Sequence, residues 1–480
     1  MEVHSLEDRT DRIPECQCPP CKKLKNINSK LKEAKELVAQ LEAKQVAIKS
    51  EFNMAHDPVT GKLPVEVTAR VFSVAMNDWS RLPTPLREGV SVVQAPLLFG
   101  TVSRRWREIA WSTPSLWTDL DIKSCREIDC VNSTTKAINM INQYSARWGD
   151  LILDIPDQCI PRLGGDAESG SRLTDITIYP FPEPPDRRLA KLHLPNATPR
   201  NVTCSYLAFR GLEINWAKAT KVDFSLLFVD ECLQLFRVAP QLMDCTIRTI
   251  VLGSDITYPI PLRPVVLNSL KRLSIAFGSD VTPSMLLSHI QTPFLEDVIY
   301  CGADLIGLKS LIIRSSCLLG SLSLSFFEDV SEIVDLLRNT VQLKDLDFIY
   351  CHLTNEFFDL LGATASIPPG ELGGGFLPLL TQLRINRPSL EFSWNAFASM
   401  LAPTGPEPEG NHRRPLSKVS FYLERIHQSP PYINEFAVSR LLKAIQQGVH
   451  LSIRQGSDYL DLLEESRKFH ENHHQGAEDV

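Results

Sequence analysis

Three cysteines near the amino terminus have the residue type and spacing most suited to chemistry. Cys16, Cys18 and Cys21 lie within the run CQCPPC. Their thiolates could act as soft ligands for zinc or as a redox site, but no fourth Cys or His follows at the spacing that a zinc finger uses. A flexible Cys-containing tail over residues 1–22 is therefore the favoured interpretation, and metal binding by the three cysteines is the alternative.

Two other stretches contain residue types that metal binding or catalysis could use. His470, His473 and His474 fall in the run RKFHENHHQGAEDV, whose polarity favours an unstructured tail over residues 461–480 rather than a metal site. Gly373–Gly375 lies in a Pro-rich insertion, without the preceding strand and following helix that a phosphate-binding loop requires. The sequence thus indicates a non-enzymatic protein, and we assign no catalytic residue, no cofactor and no metal ligand.

The composition argues against several classes of partner and location. The 480 residues carry a formal net charge of -7, and 43% of them are hydrophobic. An acidic balance gives no general attraction to nucleic acid or anionic lipid, so we expect neither nucleic-acid nor membrane partners. The sequence begins without a secretory-signal pattern and contains no run of roughly 20 apolar residues. Dispersed cysteines in apolar surroundings indicate reduced thiols in the cytoplasm or nucleus.

Residues 23–56 have the pattern of a heptad helix. Apolar positions recur at alternating steps of three and four residues, and Lys and Glu fill most of the positions between them. Such a narrow apolar stripe must be buried against another helix. The partner is either a second copy, giving a homodimer, or another part of the same chain. The stripe consists of Leu24, Ile27, Leu31, Ala34, Val38, Leu41, Gln45, Ile48 and Phe52.

Residues 57–118 predict three short helices. The first covers Leu63 to Met76, with Pro64 suited to the first turn. The second, APLLFGTVSRRWREIA, places Val102, Trp106 and Ile109 on one face, and STPSLW forms a further turn. Three short helices share little interior, so their apolar surface needs cover. That cover comes either from a partner protein or from the domain that follows.

This segment resembles the F-box, particularly the F-box-like module of large fungal families. The runs LPVEVTARVF and APLLFGTVSRRWREIAWSTPSLW carry the resemblance. The chain departs from the family pattern at Thr68 and Ala69, where large aliphatic residues are usual, and in the length of the connection over residues 77–94.

The resemblance implies docking onto a Skp-type adaptor and, through it, a cullin and RING ubiquitin ligase. Trp106 and Trp117 are expected to hold the module together internally. The positions that would contact the adaptor are Leu63, Pro64, Val67, Val71, Pro96, Leu97, Leu98 and Val102.

Residues 119–460 repeat the pattern h-x-x-h-x-h, in which h is apolar. From Val222 to Leu346 the central residues are separated by 23, 28, 25, 24 and 24 positions, with helical stretches between them. This period is typical of leucine-rich repeats, so we predict an irregular α/β solenoid of strand-turn-helix units rather than an ordinary α/β domain. The central residues are Leu120, Leu151, Leu192, Val222, Cys245, Leu273, Val298, Leu322, Leu346, Leu383, Val419 and Leu451.

Together these patterns indicate a substrate receptor of an SCF-type (Skp-cullin-F-box) ubiquitin ligase. The helical module would dock the adaptor and the repeats would hold an unknown target protein. The alternative is a protein-interaction scaffold outside any ligase. The insertions SIPPGELGGGF, TGPEPEGNHRRP and YPFPEPPDRR are either target contacts or neutral surface loops.

Overall fold

In the computed structural model the chain divides into two units. Unit 1 comprises Met1–Glu88 and Val93–Trp117, and unit 2 comprises Gly89–Val92 and Thr118–Val480. The structure describes residues 18–57, 59–79, 95–123, 130–155, 157–164, 170–179, 191–205, 207–253, 257–302, 304–363, 366–367, 375–388, 392–401, 412–413, 415–424, 432–456 and 460–478.

These residues form 13 α-helices and 21 strands. The helices are α1 Pro19–His56, α2 Val65–Trp79, α3 Ala95–Val102, α4 Arg104–Ser112, α5 Cys130–Asn142, α6 Val229–Val238, α7 Ser284–Leu287, α8 Ile306–Ser315, α9 Val330–Leu337, α10 Asn355–Ala363, α11 Trp394–Leu401, α12 Glu435–Gln446 and α13 Leu462–Glu478. The strands are β1 Asp119–Lys123, β2 Asp150–Asp154, β3 Asp175–Ile178, β4 Leu192–Leu194, β5 Asn201–Cys204, β6 Leu212–Ile214, β7 Lys221–Phe224, β8 Leu227–Phe228, β9 Asp244–Val251, β10 Val265–Val266, β11 Arg272–Phe277, β12 Ile290–Gln291, β13 Asp297–Cys301, β14 Ser321–Ser325, β15 Asp345–Ile349, β16 Ser366–Ile367, β17 Gln382–Asn386, β18 His412–Arg413, β19 Lys418–Leu423, β20 His450–Gln455 and β21 Leu460–Asp461.

The predicted N-terminal helix is present as α1, and it begins earlier than expected. Pro19 starts the helix, so residues 19–22 belong to it rather than to the predicted tail. Proline suits this place because N–H groups in the first turn have no acceptor within the helix, so its missing N–H costs no hydrogen bond. The helix ends at His56. Cys16 lies outside the described residues.

The predicted second helix of unit 1 is wrong as one continuous helix, because the chain breaks at Ser103. The Ser103 backbone is extended, and its hydroxyl accepts a hydrogen bond from the Trp106 N–H at 3.1 Å. An N-cap of this kind starts a new helix, so α3 and α4 are separate. A short 3-10 turn over Pro114–Trp117 follows them, as the STPSLW run predicts.

Unit 2 is built on a large, mostly parallel sheet. Its strands are hydrogen-bonded in the order β1-β2-β3-β5-β7-β9-β11-β13-β14-β15-β17-β19-β20-β21, and β8 pairs with β9 beside this path. Only the last pair along the path, β20 with β21, is antiparallel. Helices α6 to α12 lie between successive strands in sequence, so unit 2 is an α/β structure.

The register of the sheet confirms most of the predicted central positions. Each central apolar residue lies directly beside that of the next strand: for example, Val298 pairs with Leu322 and Leu322 with Leu346. The same alignment continues through Leu383 to Val419, across two steps that are longer than those between Val222 and Leu346. The repeated sequence pattern therefore marks equivalent strand positions.

The predicted central position between β2 and β7, Leu192, is wrong. The strand containing Leu192, β4, is outside the large sheet and pairs with β6 instead. Its place is taken by β3 and β5, whose residues Ile176 and Val202 continue the row of central positions. The spacing of Leu173, Ile176 and Ile178 fits the same pattern, so the sequence contained a signal for β3.

The predicted unstructured C-terminal tail is also wrong. Residues 462–478 form α13, whose first turns bury Leu462, Leu463 and Ser466. The Ser466 hydroxyl accepts a hydrogen bond from the Ile433 N–H at 2.9 Å and donates one to the Leu462 carbonyl at 2.7 Å. Burial of two leucines and this bridge anchor a segment whose outer positions are polar.

Ser466→Ala is expected to loosen α13, because it leaves the buried Ile433 N–H without its acceptor. The cost should be about 1–3 kcal/mol. Thermal denaturation of the full chain and hydrogen exchange of α13 amides measure it. The control is Ser439→Ala on the exposed face of α12. Equal effects of the two substitutions would contradict the proposed anchor.

Candidate docking surfaces

An aromatic cluster holds the helices of unit 1 together. The rings of Phe72 in α2 and Phe99 in α3 are stacked, with centroids 4.3 Å apart. Trp106 in α4 contacts Phe72 at 4.8 Å between centroids. Phe72 is fully buried and Phe99 nearly so. One ring from each of three helices thus joins the interior of this small module, to which Ile109, Leu116 and Trp117 also contribute.

Both tryptophans predicted to be internal have structural hydrogen bonds. The Trp106 Nε1–H donates to the Asp57 carboxylate at 2.6 Å, and the buried Trp117 Nε1–H donates to the Ala110 carbonyl at 3.0 Å. Asp57 also accepts hydrogen bonds from the backbone N–H groups of Val59 and Thr60. It therefore fixes the turn after α1 against α4.

The Asp57 carboxyl has a pKa below its usual range. Burial raises the pKa, but the hydrogen bonds from Thr60, Val59 and Trp106 together outweigh that effect. A lowered pKa in the folded state means that the ionised group stabilises the fold at neutral pH, and that this stabilisation is lost as pH falls through the folded-state pKa.

The outer face of α2 is apolar, whereas part of its inner face is polar. Thr68 is fully buried, with its hydroxyl donating to the Pro64 carbonyl at 3.1 Å. Four aliphatic residues at helical spacing are instead 37–49% exposed. We call them the aliphatic stripe; its members are Leu63, Val67, Val71 and Val74.

Of the other predicted adaptor contacts, Pro64 directly precedes α2 and the remaining four lie on α3. Val102 is 45% exposed, and Leu97 and Leu98 are half-buried. Pro64 is exposed, and the side chain of Pro96 is not among those that the structure describes. Since Phe72 and Phe99 join α2 to α3, the structure brings these residues together on one small module. Val74 was not among the predicted contacts, although its place three residues after Val71 puts it on the same face.

A second surface lies on unit 2, where three neighbouring strands of the sheet end. The rings of Phe326 and Tyr350 are stacked at 4.9 Å between centroids and 9° between planes. The Arg387 guanidinium lies 5.2 Å from the Tyr350 ring centroid and 5.8 Å from that of Tyr422. We call these four residues the rim cluster. Phe326 is 61% exposed and Tyr350 is 37% exposed.

The backbone of the rim cluster is strained. Phe326, Tyr350 and Arg387 have φ angles of 65°, 54° and 52°, a left-handed conformation that costs a residue other than glycine roughly 1 kcal/mol or more. Each of the three N–H groups still donates to a carbonyl on the neighbouring strand, at 2.6–2.9 Å. Strain of this kind often occurs at binding sites, because it fixes side chains in a required direction.

The sequence prediction did not include the rim cluster, and it gave the insertions as either target contacts or neutral surface loops. Parts of two insertions are described: Ser366–Ile367 pairs antiparallel with His412–Arg413. In the third insertion, only Tyr179 lies within the described residues. The signal for the rim cluster in the sequence was the constant position of its residues relative to the ends of the strands. Phe326, Tyr350 and Arg387 each follow the last strand residue directly, but that end could be identified only once the strands were aligned.

The thiols described within unit 2 are mostly core side chains. Cys204, Cys232 and Cys245 are fully buried or nearly so, and burial raises the pKa of the Cys204 thiol to about 12. Such thiols are protonated at neutral pH and make poor nucleophiles and ligands. Among the residues that the structure describes, no three His, Cys, Asp or Glu side chains are grouped closely enough to hold a metal ion.

No protein-family model and no curated protein matches the sequence of this chain. Within the described part of the chain, none of the helices combines the length and apolar character that crossing a bilayer requires.

Trp106→Phe should make unit 1 less stable in a pH-dependent way. The phenyl ring can keep the stacking with Phe72 but cannot donate to Asp57, so about 1 kcal/mol is lost at neutral pH. The deficit should shrink below pH about 4, as Asp57 becomes protonated. Thermal denaturation between pH 3 and 7, monitored by fluorescence, measures it. Trp111→Phe is the matched control, and its deficit should not depend on pH in this way.

The Tyr350→Gly variant of the protein should be more stable than the Tyr350→Ala variant. Both Tyr350→Gly and Tyr350→Ala remove the ring, but only glycine relieves the positive φ, which favours it by about 1 kcal/mol. Chemical denaturation of the two variants gives the difference. At Ile299, an extended strand position, alanine should instead be the more stable. If the alanine variant were more stable than the glycine variant at both positions, backbone strain in the rim cluster would be refuted.

Proposed function

We propose that the protein is a substrate receptor of an SCF-type ubiquitin ligase. Residues 57–118 would form an F-box-like module that docks a Skp-type adaptor and thereby a cullin, and residues 119–460 an irregular leucine-rich-repeat solenoid that holds a target protein. The chain itself would carry no catalytic residue. It would act by proximity, because a lysine held near activated ubiquitin reacts almost as if within one molecule.

The observation that carries this proposal is the exposed aliphatic stripe. A helix of a soluble protein normally turns its aliphatic side chains inward, whereas α2 buries Thr68 and exposes Val67, Val71 and Val74. Contiguous exposed apolar side chains are typical of surfaces that another protein covers. Apart from Pro64, which adjoins Leu63, the residues that the F-box resemblance assigns to the adaptor are members of this stripe or lie on α3.

Two features of unit 2 support the repeat part of the proposal. Its parallel strands align equivalent apolar residues, and most of the connections from β13 onwards contain a helix, as strand-turn-helix units require. The rim cluster provides a surface for the target. Tyrosine, tryptophan and arginine dominate the energy of many protein interfaces, and the rim cluster presents two tyrosines and an arginine.

The second candidate is a protein-interaction scaffold outside any ligase. It is compatible with the same exposed surfaces, but with a different partner for the aliphatic stripe. Co-purification of the tagged full-length protein from cells separates the two functions. Adaptor and cullin recovered together support the receptor, whereas recovery of other partners without the cullin supports the scaffold.

Leu63→Ala combined with Pro64→Ala is expected to abolish adaptor binding, because both side chains are exposed at the start of the stripe. Recovery of a purified Skp-type adaptor by the full-length protein measures it. The adaptor should be retained by a control that removes similar exposed apolar surface elsewhere, Ile306→Ala with Leu318→Ala. Undiminished recovery by the Leu63 and Pro64 variant would count against the proposal.

A further inference from the structure

Helix α1 exposes a long apolar stripe. All of its described side chains from Pro19 to His56 are exposed. The heptad positions hold seven large apolar residues with 47–65% of their surface accessible. A solvated helix with one such stripe gains stability when a second helix covers it. The seven residues are Leu24, Ile27, Leu31, Val38, Leu41, Ile48 and Phe52.

The charges beside the stripe discriminate between orientations of a second copy. In a parallel pair with aligned ends, a residue at heptad position g faces position e of the following heptad on the other helix. Lys30 would then face Lys35 of the second copy, and Lys44 would face Lys49. Each contact occurs twice by symmetry, so a parallel pair would bring together four pairs of like charges and no pair of opposite charges.

An antiparallel pair makes the same charges complementary. When Leu31 lies against Ile48 and Val38 against Leu41 of the second copy, every stripe residue from Ile27 to Phe52 lies opposite a stripe residue of that copy. Positions g then face g, and positions e face e. Lys30 faces Glu51 and Lys35 faces Glu42, each pair occurring twice.

Other antiparallel alignments lose this complementarity or leave part of the stripe uncovered. A shift of one heptad in one direction places Lys30 against Lys44, and a shift in the other places Lys35 against Lys49. A shift of two heptads, with Leu41 against Phe52, pairs Lys44 with Glu51 but leaves Ile27 and Leu31 uncovered. The alignment centred between Val38 and Leu41 therefore combines four Lys–Glu pairs, no like-charged pair at the flanking positions and cover for the stripe from Ile27 to Phe52.

We propose that α1 forms an antiparallel coiled coil with α1 of a second copy, in the alignment that joins Lys30 to Glu51 and Lys35 to Glu42. The occupant of the stripe is thus the protein itself. The inference is independent of the proposed ligase function, since it uses only α1. At 1.5 Å per residue, the two chains leave the pair from opposite ends, about 40 Å apart.

The substitution Lys30→Glu separates the two orientations. In the antiparallel pair it creates two Glu–Glu contacts with Glu51, which should weaken dimerisation about tenfold. In a parallel pair it would replace Lys–Lys contacts with Glu–Lys contacts and strengthen dimerisation. Adding Glu51→Lys should restore the original dissociation constant to within about twofold. Sedimentation equilibrium of the full-length protein measures all three forms.

Two further variants complete the experiment. Lys32→Glu makes the same charge change on the outer face of α1 and should leave the dissociation constant within about twofold. Val38→Asp places a charge at the centre of the stripe and should give monomers. Circular dichroism checks that α1 stays helical in each. The proposal is overturned by a monomeric wild type at about 100 µM, by tighter dimers with Lys30→Glu, by failed rescue with Glu51→Lys, or by dimers that survive Val38→Asp.

Discussion

The alignment of central apolar residues across the parallel strands is the constraint on which the rest of unit 2 depends. From Leu120 in β1 to Leu451 in β20, each strand places such a residue beside that of its neighbour. Because side chains alternate along a strand, a slip of one residue would expose this row and bury its polar neighbours. The same alignment fixes the rim cluster: strands are about 4.8 Å apart, and the stacked rings of Phe326 and Tyr350 are 4.9 Å apart.

Unit 1 is stabilised in a different way, by few but specific contacts. Three short helices cannot bury a large core. An aromatic cluster and the Asp57–Trp106 hydrogen bond therefore help to hold them together. These contacts leave the aliphatic stripe uncovered. The energetic cost of that exposure is offset when a partner covers the stripe, which is why the same feature that limits the stability of unit 1 supports its proposed role in docking.

Much of this organisation could be predicted because it depends on local patterns. Heptad spacing predicted α1, and the repeated apolar spacing predicted most strands of the large sheet. The failures have physical reasons. Nothing in the helical periodicity distinguishes one helix from two, whereas a side-chain hydrogen bond at Ser103 starts α4 as a separate helix. The C-terminal helix depends on burial of Ser466 against a distant residue, Ile433, and long-range contacts of this kind leave no mark on sequence spacing.

The last strand of the large sheet has a consequence for how the molecule avoids aggregation through the edge of that sheet. Parallel strands leave an open edge of unpaired N–H and C=O groups at each end of a sheet, and such edges can recruit other chains into aggregates. Strand β21 turns back and pairs antiparallel with β20 through Arg454 and Gln455. It is only two residues long, so it occupies part of the exposed edge while offering little template of its own. The chain thus blunts this end of the sheet with its own backbone.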